Sequence, residues 1–259
     1  MILPFTKASA CGNDFLVIDG DESLPDLPGM TRQLCDRHNG VGADGVEWLF
    51  SAHDADVEAR LMNADGSPAE ISGNGTRCVA AYLCAESHKE SVVIRTGAGP
   101  KTCTLVARNG SVFEFETAMG APELGGQRKV RTSSGEVNGF LISMGNPHYV
   151  VVVDSFWPDW QRRAAEIQSG TNFKQGVNIE IVRIENRSHI DVRFYERGVG
   201  ETMSSGTGSC AAAVAMISAG SADSPLRVRS EGGTQTVRFE EEVFLTGPTR
   251  LICEGKFFL

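Results

Sequence analysis

Two stretches, SGNGTRCVAAYLCA (72–85) and SGTGSCAAAVAMISA (205–219), decide how this chain folds. Each opens with Ser-Gly-X-Gly and runs on into residues that are apolar nearly all round. A helix with no polar face is normally enclosed by the rest of its domain, so Thr76–Ala85 and Ser209–Ala219 are expected to be central, buried helices. The two openings lie 133 positions apart (205 − 72), close to half of the 259 residues. A polar residue precedes each serine by the same interval: Asn63 lies nine positions before Ser72, and Glu196 nine before Ser205. Matching strand end, loop and helix at one offset is an internal repeat. It implies two like halves, each made of strands around one helix.

Short β-rich runs separated by turn residues surround both helices. In the first half they are Phe15–Asp19, Val57–Met62, Val92–Thr96, Thr102–Val106 and Val112–Glu116, with Asn109-Gly110 as a hairpin turn between the last two. The second half offers Phe140–Met144, His148–Val153, Val177–Arg183, His189–Tyr195, Gln235–Phe239 and Val243–Leu245. Surface helices are expected at Met30–His38 and Trp157–Ile167. No linker divides the chain, and Gly120–Gly126 is the expected crossing between halves. The fold class is α/β (α+β), with halves at 1–118 plus 248–259 and at 119–247. The active site is expected in the cleft between them.

Composition narrows the function. Hydrophobic residues make up 41% and charged ones 22%, which suits a globular chain with a real core. A net charge of −9 disfavours nucleic acid and anionic membrane surfaces as partners, leaving a small-molecule substrate. No apolar run approaches membrane-spanning length and the start, MILPFTKASA, lacks a secretory pattern, so a cytoplasmic protein is expected. Seven scattered cysteines without a CxxC pair indicate reduced thiols rather than a disulfide framework or a zinc site.

The chemistry is concentrated at the repeat. At a helix start the first N–H groups have no intrahelical partner and the helix dipole is positive, which suits an anion. Serine is also a common N-cap, so Ser72 and Ser205 have a purely structural reading as well. Duplication favours function. Two such helix starts could hold one carboxylate, with a side chain from each half at opposite faces of the adjacent carbon. That is the arrangement of a two-base epimerase, in which one group removes an α-proton and another returns one. Glu196-Arg197 at a strand end suits an ammonium and a second carboxylate, or a surface ion pair. Asn13, Asn63, Asn146 and Asn178 each stand beside a strand, as binding groups or as turn residues. His148 either assists a catalytic group or is a satisfied core histidine. Gly40, Gly42 and Gly45 spell GxGxxG, but no strand precedes them and a dinucleotide site is not expected. None of the six lysines stands in a phosphate-site context that would suit pyridoxal phosphate.

Five ordered motifs then carry a family resemblance: GNDFLVID (12–19), GVGADG (40–45), MNADGSPAEISGNGTRC (62–78), SMGNPH (143–148) and ERGVGETMSSGTGSCAA (196–212), with a fitting end at FLTGPTRLICEGKFFL (244–259). The chain resembles the diaminopimelate epimerase family. The resemblance implies two pseudo-symmetric domains, each a strongly curved, mostly antiparallel sheet or barrel around a central buried helix. It implies interconversion of LL- and meso-diaminopimelate in lysine biosynthesis, with no metal or organic cofactor. A homodimer is one allowed assembly. By motif, Asn13, Asn63, Asn146, Asn178 and Arg197 resemble ligands of the distal end of the substrate, and Glu196 the partner of its ammonium. Gly73, Asn74, Gly206 and Thr207 correspond to donors for the reacting carboxylate. His148 and Glu196 match polar residues beside the catalytic pair, while Cys78 and Cys210 read as buried packing residues.

The resemblance also marks departures. Ser72 and Ser205 stand where the family has the two cysteines that act as acid and base, and a hydroxyl is far less acidic than a thiol. Phe173-Lys174-Gln175-Gly176 stands where a proline-containing segment is expected. Three readings follow for the serine pair. It is a cysteine-to-serine replacement, engineered or natural, that impairs the epimerase. Alternatively it belongs to a native isomerase or dehydratase of another amino or imino acid. In the third reading the protein binds a diamino diacid without reacting it.

Overall fold

The computed structural model describes residues 1–87, 89–133, 135–170, 173 and 176–259. The fold is mixed α+β, mostly strands, and falls into two compact units: 1–117 with 247–259, and 118–246.

The first unit contains β1 (Ile2–Ala10), β2 (Asn13–Asp19), α1 (Leu27–Cys35), β3 (Gly45–Phe50), β4 (Val57–Asn63), β5 (Pro68–Ala69), α2 (Gly73–Ser87), β6 (Ser91–Thr96), β7 (Gly99–Asn109) and most of β8 (Val112–Gly120). The chain returns to it along β17 (Val243–Phe258). Pairings β1–β2–β3–β4–β6–β7–β8–β17–β1 close a ring of eight strands. β2 meets β3, and β4 meets β6, in parallel; the remaining described registers are antiparallel. β5 shares one edge of β4 with β6. Cys78, Val79, Ala80, Ala81 and Cys84 of α2 lie in one core with Phe15, Val17, Leu61, Ile94, Phe113 and Phe115. On the other face of β2 and β3, α1 packs Met30 and Leu34 against Leu16, Ile18, Val46 and Trp48. All six residues of β3 are therefore buried, and the strand shows no alternation.

The second unit contains β9 (Glu123–Thr132), β10 (Gly135–Ser143), β11 (Pro147–Val152), α3 (Trp160–Gln168), β12 (Asn178–Asn186), β13 (His189–Glu196), β14 (Gly200–Thr202), α4 (Gly206–Ser218), β15 (Leu226–Ser230) and β16 (Gly233–Phe239), with the start of β17. Its strand order is β9–β10–β11–β12–β13–β15–β16–β17, and β14 shares one edge of β13 with β15. Every residue of α4 from Gly208 to Met216 is buried, five of them alanine or glycine, so strands approach its axis closely. α3 packs Trp160, Ala164 and Ile167 on Tyr149, Val151, Ile179 and Ile181.

The repeat extends far beyond its two helix starts. β2 on β3 pairs Phe15 with Gly45, and β11 on β12 pairs His148 with Asn178, each residue displaced by the same 133 positions. The same displacement carries α1 onto α3 and the start of α2 onto the start of α4. Both surface helices begin elsewhere than the sequence reading placed them, at Leu27 rather than Met30 and at Trp160 rather than Trp157. Asp26 explains the first: its side chain accepts from Gly29 N–H, and proline follows in the first turn, where it costs no hydrogen bond.

Candidate active site

The two Ser-Gly-X-Gly segments adopt the same structure. Ser72 Oγ accepts from Gly75 N–H at 3.1 Å, and Ser205 Oγ accepts from Gly208 N–H at 3.2 Å. Each serine carbonyl receives the N–H four residues on, from Thr76 at 2.8 Å and from Ser209 at 3.0 Å. Both serines thus cap their helices, as the structural reading has it. Capping also has a chemical effect: a hydroxyl oxygen that accepts an N–H at the positive end of a helix is favoured in its charged form. Ser205 is buried and Ser72 is half-buried.

In the second unit a hydrogen-bonded chain runs beneath α4. Fully buried His148 contacts Glu180 Oε1 through Nδ1 at 2.7 Å and Asn146 Oδ1 through Nε2 at 3.0 Å. The Asn146 amide then donates to Thr207 Oγ1 at 3.4 Å. Burial pushes the Glu180 carboxyl above its ordinary value, the charge of Glu196 adds to that, and His148 opposes it. Burial likewise raises Glu196, against a hydrogen bond with the Ser205 side chain and the charge of His148. Asn178 sits beside His148 in the ladder, and its Oδ1 accepts from Arg197 N–H at 2.9 Å. The Arg197 side chain is exposed and its stem lies against Gly176. The structure thus links Asn146, His148 and Thr207, joins Glu196 to Ser205, and joins Asn178 to the backbone of Arg197. Lys174 and Gln175, in the departing segment, lie outside the described residues.

In the first unit, buried Asn74 donates to Asn13 Oδ1 at 2.6 Å and accepts from Arg77 at 2.5 Å. Asn13 in turn donates to Asp44 at 3.2 Å, which Arg37 also engages at 2.8 Å. Asp14, on the same guanidinium, is held down to about 2: burial raises it, but hydrogen bonds from Arg37 and Lys7 outweigh that. Asn63 serves the turn from β4 to β5, donating to Ser67 Oγ at 3.0 Å. Gly73 and Gly206 each open a helix and are partly exposed. Cys78 and Cys210 are fully buried, and the Cys78 thiol is pushed up to about 12 by burial.

Gly40, Gly42 and Gly45 follow a helix, α1, and lead into a strand, the reverse of the order a dinucleotide loop needs. A surface depression of about 300 Å³ lined by Thr132, Glu136, Asn138, Val151, Trp157 and Arg163 holds none of the candidate residues. Among the described residues no group of three His, Cys, Asp or Glu side chains is placed to hold a metal ion. Among the described residues no helix is long and apolar enough to cross a membrane.

Sequence reasoning missed Glu180, Arg77 and Glu47. All three are buried ionisable groups next to a helix start or its hydrogen-bonded chain. The signal was a lone carboxylate within an apolar run, VNIEIV (177–182) and GVEWLF (45–50), at positions related by the repeat offset.

The profile of the family described as "Diaminopimelate epimerase" matches residues 5–124 and 140–252. The diaminopimelate epimerase of Cupriavidus necator is 38% identical, covering 100% of this chain and 98% of that protein. That of Desulfovibrio desulfuricans is 32% identical, covering 99% of each. Among solved structures, a Bacillus anthracis phenazine biosynthesis protein of the PhzF family superposes with a TM-score of 0.74 over 100% of both chains. At 15% identity that likeness shows the fold alone.

Proposed function

The chain belongs to the diaminopimelate epimerase family, and from that premise we propose that it epimerises diaminopimelate without a cofactor, using Ser72 and Ser205 as its acid and base positions. One position from each half serves one face of the reacting carbon. The observation that carries this reading is the duplicated helix start, with a serine Oγ in the same hydrogen bond in both halves. Around each serine, the N–H groups of Gly73 and Asn74 and of Gly206 and Thr207 stabilise negative charge on the reacting carboxylate as the α-proton leaves. His148, oriented by Glu180 and Asn146, and Glu196, in contact with Ser205, manage the proton on the second side. Asn13, Asn63, Asn146, Asn178 and Arg197 bind the distal amino-acid head group, with Glu196 facing its ammonium.

Hydroxyls in place of thiols make this form slow, because an alkoxide is a scarce base near neutral pH. The test is deuterium uptake at the α-carbon of LL-diaminopimelate in heavy water, for the protein as it stands and for the double variant Ser72→Cys, Ser205→Cys. The double variant is expected to gain epimerisation by orders of magnitude. If it neither exchanges nor epimerises diaminopimelate, the assignment fails. Exchange by the serine form on another amino or imino acid, with none on diaminopimelate, favours a native serine-based isomerase or dehydratase. Binding without exchange in every form favours a diamino-diacid-binding protein.

A further inference from the structure

The two halves differ in where they keep their carboxyls. In the second unit the carboxyl on β12, Glu180, is engaged by His148, and the carboxyl that touches the helix-start serine comes from the end of β13, as Glu196 on Ser205. The repeat offset places Asn63, a neutral amide, at the position of Glu196, and Phe15 at the position of His148. At these two positions the first unit therefore offers Ser72 no carboxyl, and its own β3 carboxyl, Glu47, no imidazole.

Glu47 is the offset counterpart of Glu180 and only 3% exposed. It occupies the space a side chain at Gly75 would need: a Cβ built there would lie 2.1 Å from Glu47 Oε1 and 3.3 Å from Ser72 Cβ. Taken end to end, these distances keep Oε1 within about 5.4 Å of Ser72 Cβ. Gly208 stands over Glu180 Oε1 in the same way, at 2.9 Å. Across the ladder Glu47 has Val17 and Leu61, both apolar. The buried ionisable groups of α2 are Arg77, Cys78 and Cys84, of which Cys78 senses the charge of Glu47.

We propose that Glu47 is the proton-holding residue of the first half and acts on substrate through Ser72. This rests on the epimerase reading. As the Cα–H bond of the substrate breaks, its proton goes to Ser72 Oγ while the Oγ–H proton passes to the Glu47 carboxylate. In the opposite direction the Glu47 carboxylic acid returns a proton through Ser72 to the carbanion. Each half then couples one serine to one carboxyl, Ser205 to Glu196 and Ser72 to Glu47. Burial, with no hydrogen bond or charge to offset it, pushes Glu47 up to about 8, so both of its protonation states are within reach near neutral pH. Glu47 is a positioning residue in this scheme, because Ser72 alone meets the substrate.

Two measurements test it. In heavy water, exchange into LL- and meso-diaminopimelate is followed from pH 5.5 to 9.5 for the unaltered protein and for Glu47→Gln. The substitution is expected to slow exchange at least tenfold, to remove the inflection near pH 8 and to leave KM within twofold. The second readout needs no turnover: iodoacetamide alkylation of Ser72→Cys, in a Cys253→Ser background, with and without Glu47→Gln. A neighbouring carboxylate opposes thiolate formation, so Glu47→Gln is expected to lower the apparent pKa of that thiol by at least about one unit. Superimposable thiol profiles overturn the proposal, as does unchanged exchange in Glu47→Gln. Separated thiol profiles in a protein that exchanges no diaminopimelate uphold the placement of Glu47 beside Ser72 and sink the epimerase reading instead.

Discussion

A carboxyl kept for chemistry in an apolar interior should reduce stability, and Glu47 gives that expectation a size. Its carboxyl stands near 4.5 in an unfolded chain and at about 8 in the fold, with burial as the cause. Between those values the folded protein holds a proton that the unfolded chain has released. Stability is therefore greatest below about pH 4.5, falls as pH rises towards 8, and levels off beyond it. Each unit of the difference is worth about 1.4 kcal/mol, so ionisation of Glu47 removes about 3 kcal/mol by pH 7 and about 5 kcal/mol above pH 8. Glu47→Gln keeps the shape and deletes the titration. Its buried amide carries a cost of about 1–3 kcal/mol that does not vary with pH. The variant is thus expected to lie about 1–3 kcal/mol below the unaltered protein at pH 4.5, to gain on it steadily as pH rises, and to exceed it by pH 8. At about 2–4 °C per kcal/mol, the difference in Tm should change by about 6–12 °C between pH 4.5 and 7. Scanning calorimetry of the two proteins at half-unit intervals from pH 4.5 to 9 measures it. A difference independent of pH would show that Glu47 titrates as a surface carboxylate does, and the reasoning from its burial would be refuted.

Three further outcomes follow from the same contacts. His148→Leu leaves Glu180 without its ring partner in a site closed to solvent, and should cost about 3–5 kcal/mol at neutral pH; in the double variant His148→Leu, Glu180→Leu, denaturant titration should recover most of that loss. Gly208→Ala places a methyl 2.9 Å from both Glu180 Oε1 and Phe194 Cδ1, so a loss of about 1–3 kcal/mol, read as a lower Tm, is expected where open Gly110→Ala is limited by backbone strain alone. Thr31→Val removes the acceptor, at 2.9 Å, of the buried Trp48 indole N–H, and should lower stability by about 1–3 kcal/mol in urea unfolding followed by Trp fluorescence.

The parts of this molecule legible in its sequence are those fixed by local chemistry. A serine and two glycines ahead of an apolar run specify a capped helix start and a helix without a solvent face, and both α2 and α4 have that form. Alternating runs such as Val112–Glu116 declare a sheet with one buried face, which β8 has. What stayed hidden depends on the second layer. β3 reads as an undifferentiated apolar run because α1 covers the face that α2 does not. β1 escaped because Pro4, Lys7 and several small residues dilute its pattern, though seven of its nine residues are buried or half-buried. Glu47 and Glu180 escaped for a related reason: a carboxylate in a strand is ordinarily assigned to the wet face, and neither β3 nor the first five residues of β12 have one. The repeat offset supplies the missing constraint. It was visible in two serines and two strand ends, and the ladders carry it residue by residue from β2 through α2. Applied to every polar residue, it sets Glu47 against Glu180, Phe15 against His148 and Asn63 against Glu196. The second members are all hydrogen-bonded, Glu180 with His148 and Glu196 with Ser205, and the first members leave one carboxyl unaccounted for. Duplicated halves that keep their register and exchange their charges are no longer equivalent. The unmatched charge is where that difference is recorded.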